Sequence, residues 1–129
     1  MPRLEIAYPQ LFVADVRRAA DFYVGKLGFT LGYLYGEPAF YALVTRDGIG
    51  LNLRHVDAPA MDQARRERES LLSANVVVAD VRALFVEFEK QGADFAQNLK
   101  RQPWGTTDFI LRDLDGNLLC FASPLTKAA

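Results

Sequence analysis

The sequence has few residues of the types that form disulfides or supply imidazole and thiolate chemistry. Its 129 residues include one histidine, His55, and one cysteine, Cys120. A single cysteine excludes an internal disulfide and is typical of a reducing compartment. No base or helix N-terminus is visible in the sequence to activate the Cys120 thiol, so we interpret it as a small buried hydrophobic residue.

The sequence also lacks an excess of charge and any long hydrophobic run. Its formal net charge of −1 argues against a nucleic-acid partner and against binding to an anionic membrane surface. No apolar run approaches the roughly 20 residues needed to span a bilayer, and the N-terminus lacks the apolar core of a secretory signal. Half of the residues are hydrophobic, which is enough for a core. We therefore expect one soluble, cytoplasmic domain over residues 1–129.

The first half of the sequence predicts a strand, a helix and three further strands. Residues 4–13 are rich in apolar side chains, although Pro9 cannot donate a ladder hydrogen bond and favours an edge position. Asp15 is a candidate helix N-cap, and Gly28 is a candidate terminator of that helix. The other predicted strands span residues 29–35, 40–45 and 50–56.

Residues 57–70 differ from both flanking regions because they contain a run of charges of mixed sign. We interpret them as a solvated connector with a helical turn, and a partner-binding patch is the alternative. The second half then repeats the order of the first. A strand over residues 71–78 precedes a helix from Asp80 to Gly92, and strands follow at residues 95–99, 108–112 and 118–121.

An internal repeat relates the two halves. The pentapeptide VADVR occurs at residues 13–17 and again at residues 78–82, an offset of 65 residues. The apolar helix positions 16, 19, 20 and 23 recur at 81, 84, 85 and 88. The sequence thus predicts an α+β fold of two tandem βαβββ modules with pseudo-twofold symmetry. Module 1 is expected over about 3–56, the connector over 57–70 and module 2 over about 71–123.

The stretch from Pro103 to Phe121 resembles the closing hairpin of the glyoxalase/bleomycin resistance protein/dioxygenase group, the vicinal oxygen chelate (VOC) superfamily. The QPWG run at 102–105 and the RDLDGN turn at 112–117 are most similar to the bleomycin-resistance branch. The resemblance implies a curved sheet in each module with a helix on its convex side, and a cleft between modules. It also implies a homodimer, often with an exchanged first strand, which agrees with Pro9.

The resemblance further implies where a metal-using member would hold its ion. The corresponding positions here carry Tyr8, Asn52, Ser73 and Cys120 instead of histidine and glutamate. These are poor ligands for Fe, Mn, Ni or Zn. We therefore expect no metal and no cofactor, and we expect the positions to face one cleft.

Strand alternation places several polar side chains on the same side as these positions. A core that needs only packing would not put amides and a guanidinium inward, so we predict a ligand-sized cleft. A plain subunit interface is the alternative. Trp104 is the strongest stacking candidate, because the matching tryptophan of bleomycin-resistance proteins lines the drug groove. The predicted ligand-binding residues are Tyr8, Gln10, Phe12, Tyr33, Tyr35, Phe40, Asn52, Arg54, Ser73, Asn75, Trp104 and Cys120.

His55 falls on the opposite side of its strand from Asn52 and Arg54, and we interpret it as structural. The expected function is therefore that of a metal-free, bleomycin-resistance-like protein that sequesters an aromatic or amphipathic ligand without catalysis. The alternative is a glyoxalase-like lyase, isomerase or dioxygenase with a degenerate or relocated metal site. A third possibility is a structural or regulatory dimer without a ligand.

Overall fold

The computed structural model describes residues 1–125 and contains two four-stranded sheets. The first sheet has the strand order β1-β4-β3-β2 and the second β5-β8-β7-β6. The strands are β1 (Gln10–Val13), β2 (Thr30–Tyr35), β3 (Tyr41–Arg46), β4 (Ile49–His55), β5 (Ala74–Val77), β6 (Asp94–Arg101), β7 (Thr107–Arg112) and β8 (Leu118–Ala122). The helices are α1 (Val16–Leu27), α2 (Gln63–Arg68) and α3 (Val81–Lys90).

The two sheets share one topology, which confirms the predicted α+β fold of repeated modules. In each, the first strand runs parallel to the last, and the remaining strands pair antiparallel. Each module is therefore strand, helix and three strands, as the sequence repeat predicts. Within residues 1–125 no helix is long and apolar enough to cross a membrane.

Both long helices form where the repeated sequence predicts them. The carboxylates of Asp15 and Asp80 each accept a hydrogen bond from the backbone three residues ahead, at Arg18 and Ala83. Gly28 ends α1 in the left-handed conformation with φ 74°, which favours glycine. The apolar stripe of α1 is buried. In α3, the same stripe is divided between fully buried and partly buried side chains, all packed on one core.

The first strand is shorter than the apolar pattern predicts. It begins at Gln10, not Leu4, and residues 1–9 are exposed and form no strand. Leu4 and Ile6 have 97% and 60% of their surface exposed. The prediction was wrong because residues 1–9 pair with no strand among the described residues, although the Tyr8 ring and the Pro9 carbonyl contact β4 at Gly50 and Asn52.

The two modules are joined by reciprocal contacts between hairpin turns and helices. Tyr23 of α1 donates from its hydroxyl to Asp113, which follows β7, over 2.8 Å. Arg46, at the end of β3, forms a 2.8 Å ion pair with Glu87 of α3. Each module's hairpin thus contacts the other module's long helix, and a single hydrophobic cluster spans both modules.

A short helix, α2, lies in the connector and is tied to the second sheet by ion pairs. The Glu67 carboxylate accepts hydrogen bonds from the Arg112 guanidinium at 2.6 and 2.7 Å, and Arg112 also binds Asp94. The Arg112 hydrogen bonds are the main cause that lowers the pKa of Glu67 from 4.5 to about 2, and a hydrogen bond from Gln63 adds to it.

We expect the Glu67 ion pair to make the protein sensitive to acid. A carboxyl group whose pKa is lower in the folded than in the unfolded chain stabilises the fold above the unfolded value, and that contribution is lost as the pH falls through the folded value. Glu67→Gln should therefore flatten the loss of stability between about pH 4.5 and 2. Glu69→Gln, which removes an acid paired with the exposed Arg65, is the matched control. Denaturant melts at pH 6 and pH 3 check this, and an unchanged slope in Glu67→Gln would contradict it.

Candidate functional site

One face of the first sheet carries two rows of the predicted ligand-binding residues. Directly opposed residues in the ladder point to the same side of a sheet. The first row runs Gln10, Asn52, Leu43 and Tyr33 across β1, β4, β3 and β2. The second row, one step along, contains Phe12, Arg54, Tyr41 and Tyr35. Strand alternation therefore correctly predicts that Gln10, Phe12, Asn52 and Arg54 share a face, whereas Asn75 and Cys120, predicted on the same side, belong to the second sheet.

The side chains on this face are held in place by contacts with one another. The Gln10 amide donates to the Tyr41 hydroxyl at 2.6 Å. The Asn52 amide reaches the Tyr33 hydroxyl at 3.4 Å, and the rings of Tyr33 and Tyr41 stack with centroids 6.2 Å apart. The aromatic rings consequently form a preorganised surface beside two amides.

Tyr8 and Phe40 lie at the margins of the same surface. The Tyr8 ring lies over Gly50, where a Cβ atom would stand only 2.6 Å from its Cε1, so glycine leaves the room that the ring occupies. The Arg54 guanidinium carbon is 5.0 Å from the centre of the Phe40 ring, a cation–π contact. Arg54 also donates to the carbonyl of His55.

His55 ends β4 and is held by local hydrogen bonds. Its Nδ1 lies 2.7 Å from the Ala14 carbonyl, and its Nε2 lies 2.8 Å from an Asp57 carboxylate oxygen. The hydrogen bond to Asp57, followed by that to Ala14, raises the pKa of the imidazole. These contacts link the ends of β1 and β4, which agrees with the predicted structural role.

A groove of about 450 Å³ lies on the second sheet. Its floor includes Cys120 and Ile110, opposed residues of β8 and β7, and Asn75 extends the same row on β5. Trp104 stands at the groove with 64% of its surface exposed. The groove is lined by Ser70, Leu72, Asn75, Gln97, Lys100, Gln102, Trp104, Thr106, Asp108, Ile110, Cys120 and Ala122.

A tight turn presents Trp104 to the groove. The backbone N–H groups of Gln102 and Gly105 donate to the carbonyls of Thr106 and Gln102 respectively, which closes the loop between β6 and β7. Gly105 adopts φ +103°, which side-chain-bearing residues rarely adopt. The indole is thereby held outside the core, where a flat ligand can stack on it.

The polar side of the groove combines a satisfied carboxylate with an unpaired hydroxyl. Asp108 is buried and accepts hydrogen bonds from the Gln97 and Gln102 amides at 2.7 and 2.9 Å. The buried Thr106 hydroxyl has no hydrogen-bond partner among the residues described. A hydroxyl can donate and accept, so Thr106 offers a free anchor to a polar group of a ligand.

The four positions that the resemblance aligns with metal ligands, Tyr8, Asn52, Ser73 and Cys120, are divided between the two modules and carry donors that suit a transition metal poorly. Burial, followed by the charge of Asp108, raises the pKa of the Cys120 thiol to about 11, so its thiolate is scarce at neutral pH. The Ser73 hydroxyl donates to Asn117, and Asn52 is engaged with Tyr33. In the part of the chain that the structure describes, no three His, Cys, Asp or Glu residues are grouped as a metal site requires.

The predicted ligand-binding residues are divided between the two sheets. Tyr8, Gln10, Phe12, Tyr33, Tyr35, Phe40, Asn52 and Arg54 belong to module 1, whereas Asn75, Trp104 and Cys120 line the module 2 groove. Ser73 lies at the start of β5, bonded to Asn117 beside the hairpin turn. Their role in binding a ligand stays a prediction.

Several groove residues were not predicted from the sequence. Gln97, Gln102, Thr106 and Asp108 flank Trp104 and form its polar surroundings. Alternation along β7 could have found Asp108 and Ile110, since both share a face with the predicted Cys120. Gln97 had no such signal, because register shifts on both sides of it interrupt the pairing of β6 with β7, and Gln102 lies in the loop after β6, where alternation does not apply.

Comparison with known proteins gives consistent matches. The model of the Glyoxalase/Bleomycin resistance protein/Dioxygenase superfamily matches residues 5–121. A bleomycin resistance protein of Geobacillus stearothermophilus is 28% identical over 123 residues, which cover 88% of this chain and 92% of that protein.

Two solved structures extend the comparison to the fold. The structure of the bleomycin-binding protein from bleomycin-producing Streptomyces verticillus, complexed with copper(II)-bleomycin, superposes with a TM-score of 0.71 and 28% identity. That match covers 94% of this chain and 97% of the other. A bleomycin-binding protein complexed with bleomycin has a TM-score of 0.75 at 21% identity, over 93% and 98% of the two chains, and shows the same fold.

Proposed function

The chain belongs to the glyoxalase/bleomycin resistance protein/dioxygenase superfamily, and on that premise we propose that it binds and sequesters an aromatic or amphipathic small molecule without catalysis. The observation that carries the proposal is the groove beside the exposed Trp104. Ligand sites are concave, with an apolar lining and a few polar groups that fix orientation. The Trp104 face, the Ile110 floor and the unpaired Thr106 hydroxyl supply these features.

We propose that the ligand has a flat ring with an attached polar group. Stacking on Trp104 would fix the ring, and the Thr106 hydroxyl would take a hydrogen bond from, or give one to, the polar group. The buried Asp108 is already paired with Gln97 and Gln102, so it shapes the groove and keeps both amides in place. Lys100 lines the same groove and favours a neutral or anionic polar group over a cationic one.

The absence of metal chemistry is part of the proposal. The thiol of Cys120 has a raised pKa, and the other positions that correspond to metal ligands carry neutral oxygen and amide groups. None of them supplies the anionic or imidazole donors that transition metals prefer. A metal-dependent lyase, isomerase or dioxygenase would therefore need ligands from elsewhere.

We also propose a homodimer in which the module 1 surface of one chain covers the module 2 groove of another. The predicted ligand residues are divided between two sheets, and exposed Leu4 and Ile6 precede β1. An extended apolar segment without an intramolecular partner favours pairing with a second chain. Exchange of this segment between chains would join the two halves of each site.

Calorimetric titration tests the proposed function. Copper(II)-bleomycin is the first probe, because the Streptomyces verticillus relative was solved with it, and metal-free bleomycin and a set of aromatic compounds follow. We expect saturable binding by at least one probe, with the compound recovered unchanged. Elemental analysis of protein purified without chelator runs in parallel. Near-stoichiometric transition metal, or conversion of a compound by the protein, would contradict the proposal and support the enzymatic alternative.

A further inference from the structure

Arg66 is a buried cation, and part of its guanidinium has no hydrogen-bond partner among the residues that the structure describes. It lies in α2 with only 5% of its surface exposed. Its Nε and Nη1 atoms are inaccessible to solvent and make no hydrogen bond to any described residue, 1–125. The charged residues on either side of it in α2 are both paired: Arg65 binds Glu69 at the surface, and Glu67 binds Arg112.

The Arg66 side chain lines a cavity of about 100 Å³. The cavity lies between the end of β1, the end of β4, the connector and the hairpin turn of module 2. Phe12, Ala14, Met61 and Asp115 are among its lining residues. It shares no lining residue with the groove around Trp104, and Phe12 is the residue that it has in common with the module 1 face.

Burial of an unpaired guanidinium is unfavourable, and a bound anion would relieve that cost. Moving an ion out of water is unfavourable unless hydrogen bonds and an opposite charge compensate. The planar N–H groups of a guanidinium match the two oxygens of a carboxylate. The geometry of the site therefore favours an oxyanion over a neutral ligand.

The acidic side chains around the cavity limit the charge of that anion. Asp115 and Asp57 also line it, but each is engaged elsewhere, Asp115 with the Ala14 N–H and Asp57 with His55. The Gln63 amide, a third polar neighbour, donates to Glu67 and to the Gly116 carbonyl. Two carboxylates disfavour a doubly charged ligand, and the volume suits a small one.

We propose that Arg66 and this cavity form a binding site for a small, singly charged carboxylate. The ligand carboxylate accepts hydrogen bonds from the Arg66 guanidinium and lies beside the apolar side chains of Phe12 and Met61, which line the cavity. Because binding fixes the connector against the ends of β1 and β4, an occupied site stabilises the junction of the two modules.

The test compares acetate with phosphate and chloride at constant ionic strength. The probes are added to the whole chain while the Nε–H resonance of Arg66 and the melting temperature are recorded. We expect acetate to shift the resonance and raise the melting temperature in a saturable way, and phosphate to act more weakly. Arg66→Met should weaken acetate binding by at least about tenfold, since it removes charge-assisted hydrogen bonds. Arg65→Met, the matched surface change, should leave binding unchanged.

The outcomes are distinct. The proposal is overturned if acetate acts no differently from chloride, if Arg66→Met responds as the native chain does, or if a crystal grown in acetate shows only ordered water at the guanidinium. Should Arg66→Met fail to fold, Arg66→Lys replaces it, because lysine retains the charge and loses the planar pair of donors. Bleomycin titrations test the groove around Trp104 separately. A negative result with acetate would therefore leave the proposed function untouched, and a negative result with bleomycin would leave the Arg66 site untouched.

Discussion

Trp104→Ala is expected to weaken binding of copper(II)-bleomycin, or of whichever aromatic compound saturates the groove, by about thirtyfold. Loss of a stacked aromatic anchor typically costs about 2 kcal/mol or more of binding free energy. The same substitution should change the free energy of unfolding by only about 0.5 kcal/mol, because the indole is 64% exposed and contributes little to the core. Calorimetric titration and a thermal melt of the one variant measure both quantities.

Trp104→Phe is the matched control, since it keeps an aromatic face at the same place. We expect Trp104→Phe to retain most of the affinity for the ligand, because phenylalanine can still stack on its ring. If the indole N–H instead supplied the binding energy through a hydrogen bond, Trp104→Phe would bind as weakly as Trp104→Ala. Because Trp104 is the only tryptophan, its fluorescence reports on the groove alone. A large loss of melting temperature with unchanged affinity would show that Trp104 acts in the core and would remove it from the binding site.

The repeated parts of the fold could be predicted because local rules decide them. The VADVR segments give each long helix a capping aspartate, and the structure shows Asp15 and Asp80 accepting the expected backbone hydrogen bonds. The strand faces follow from alternation, which placed Gln10, Asn52 and Arg54 together. Helix caps and the two-residue strand period depend only on neighbours in sequence.

The parts that could not be predicted depend on long-range packing. The apolar pattern of residues 4–13 predicts a strand throughout, yet pairing with β4 starts only at Gln10. Gln97 and Gln102 converge on Asp108 only after β6 and β7 have paired. The unpaired state of Arg66 is equally invisible in the sequence, where it is one of several arginines in a charged connector.

Asp113→Ala is expected to lower the free energy of unfolding by about 3–5 kcal/mol, because it removes the acceptor at the centre of the module junction. The carboxylate accepts hydrogen bonds from the Tyr23 hydroxyl, the Asn117 amide and the N–H groups of Asp115 and Asn117. Tyr23 is completely buried, and Asp113 is the one hydrogen-bond partner of its hydroxyl among the residues that the structure describes.

Burial also raises the pKa of the Asp113 carboxyl, although its hydrogen bonds from Asn117 and Tyr23 act in the opposite direction. Burying the Asp113 carboxylate is therefore unfavourable by itself, and the hydrogen bonds that it accepts offset this desolvation. Tyr23→Phe removes one donor and should cost about 1–2 kcal/mol, less than Asp113→Ala, because the other donors remain. Asp47→Asn removes the exposed charge in the other module's hairpin turn, keeps a side chain that tolerates the φ of 52° there, and should have almost no effect.

A double-mutant cycle with Tyr23→Phe and Asp113→Ala measures the coupling across the junction. If the hydroxyl and the carboxylate stabilise the same contact, the double variant should be little less stable than Asp113→Ala alone, since Tyr23→Phe then removes a hydroxyl that is already unpaired. Additive losses in denaturant melts would instead mean that Tyr23 and Asp113 stabilise their own modules separately. The reciprocal turn-to-helix contact would then not be what holds the two repeats together.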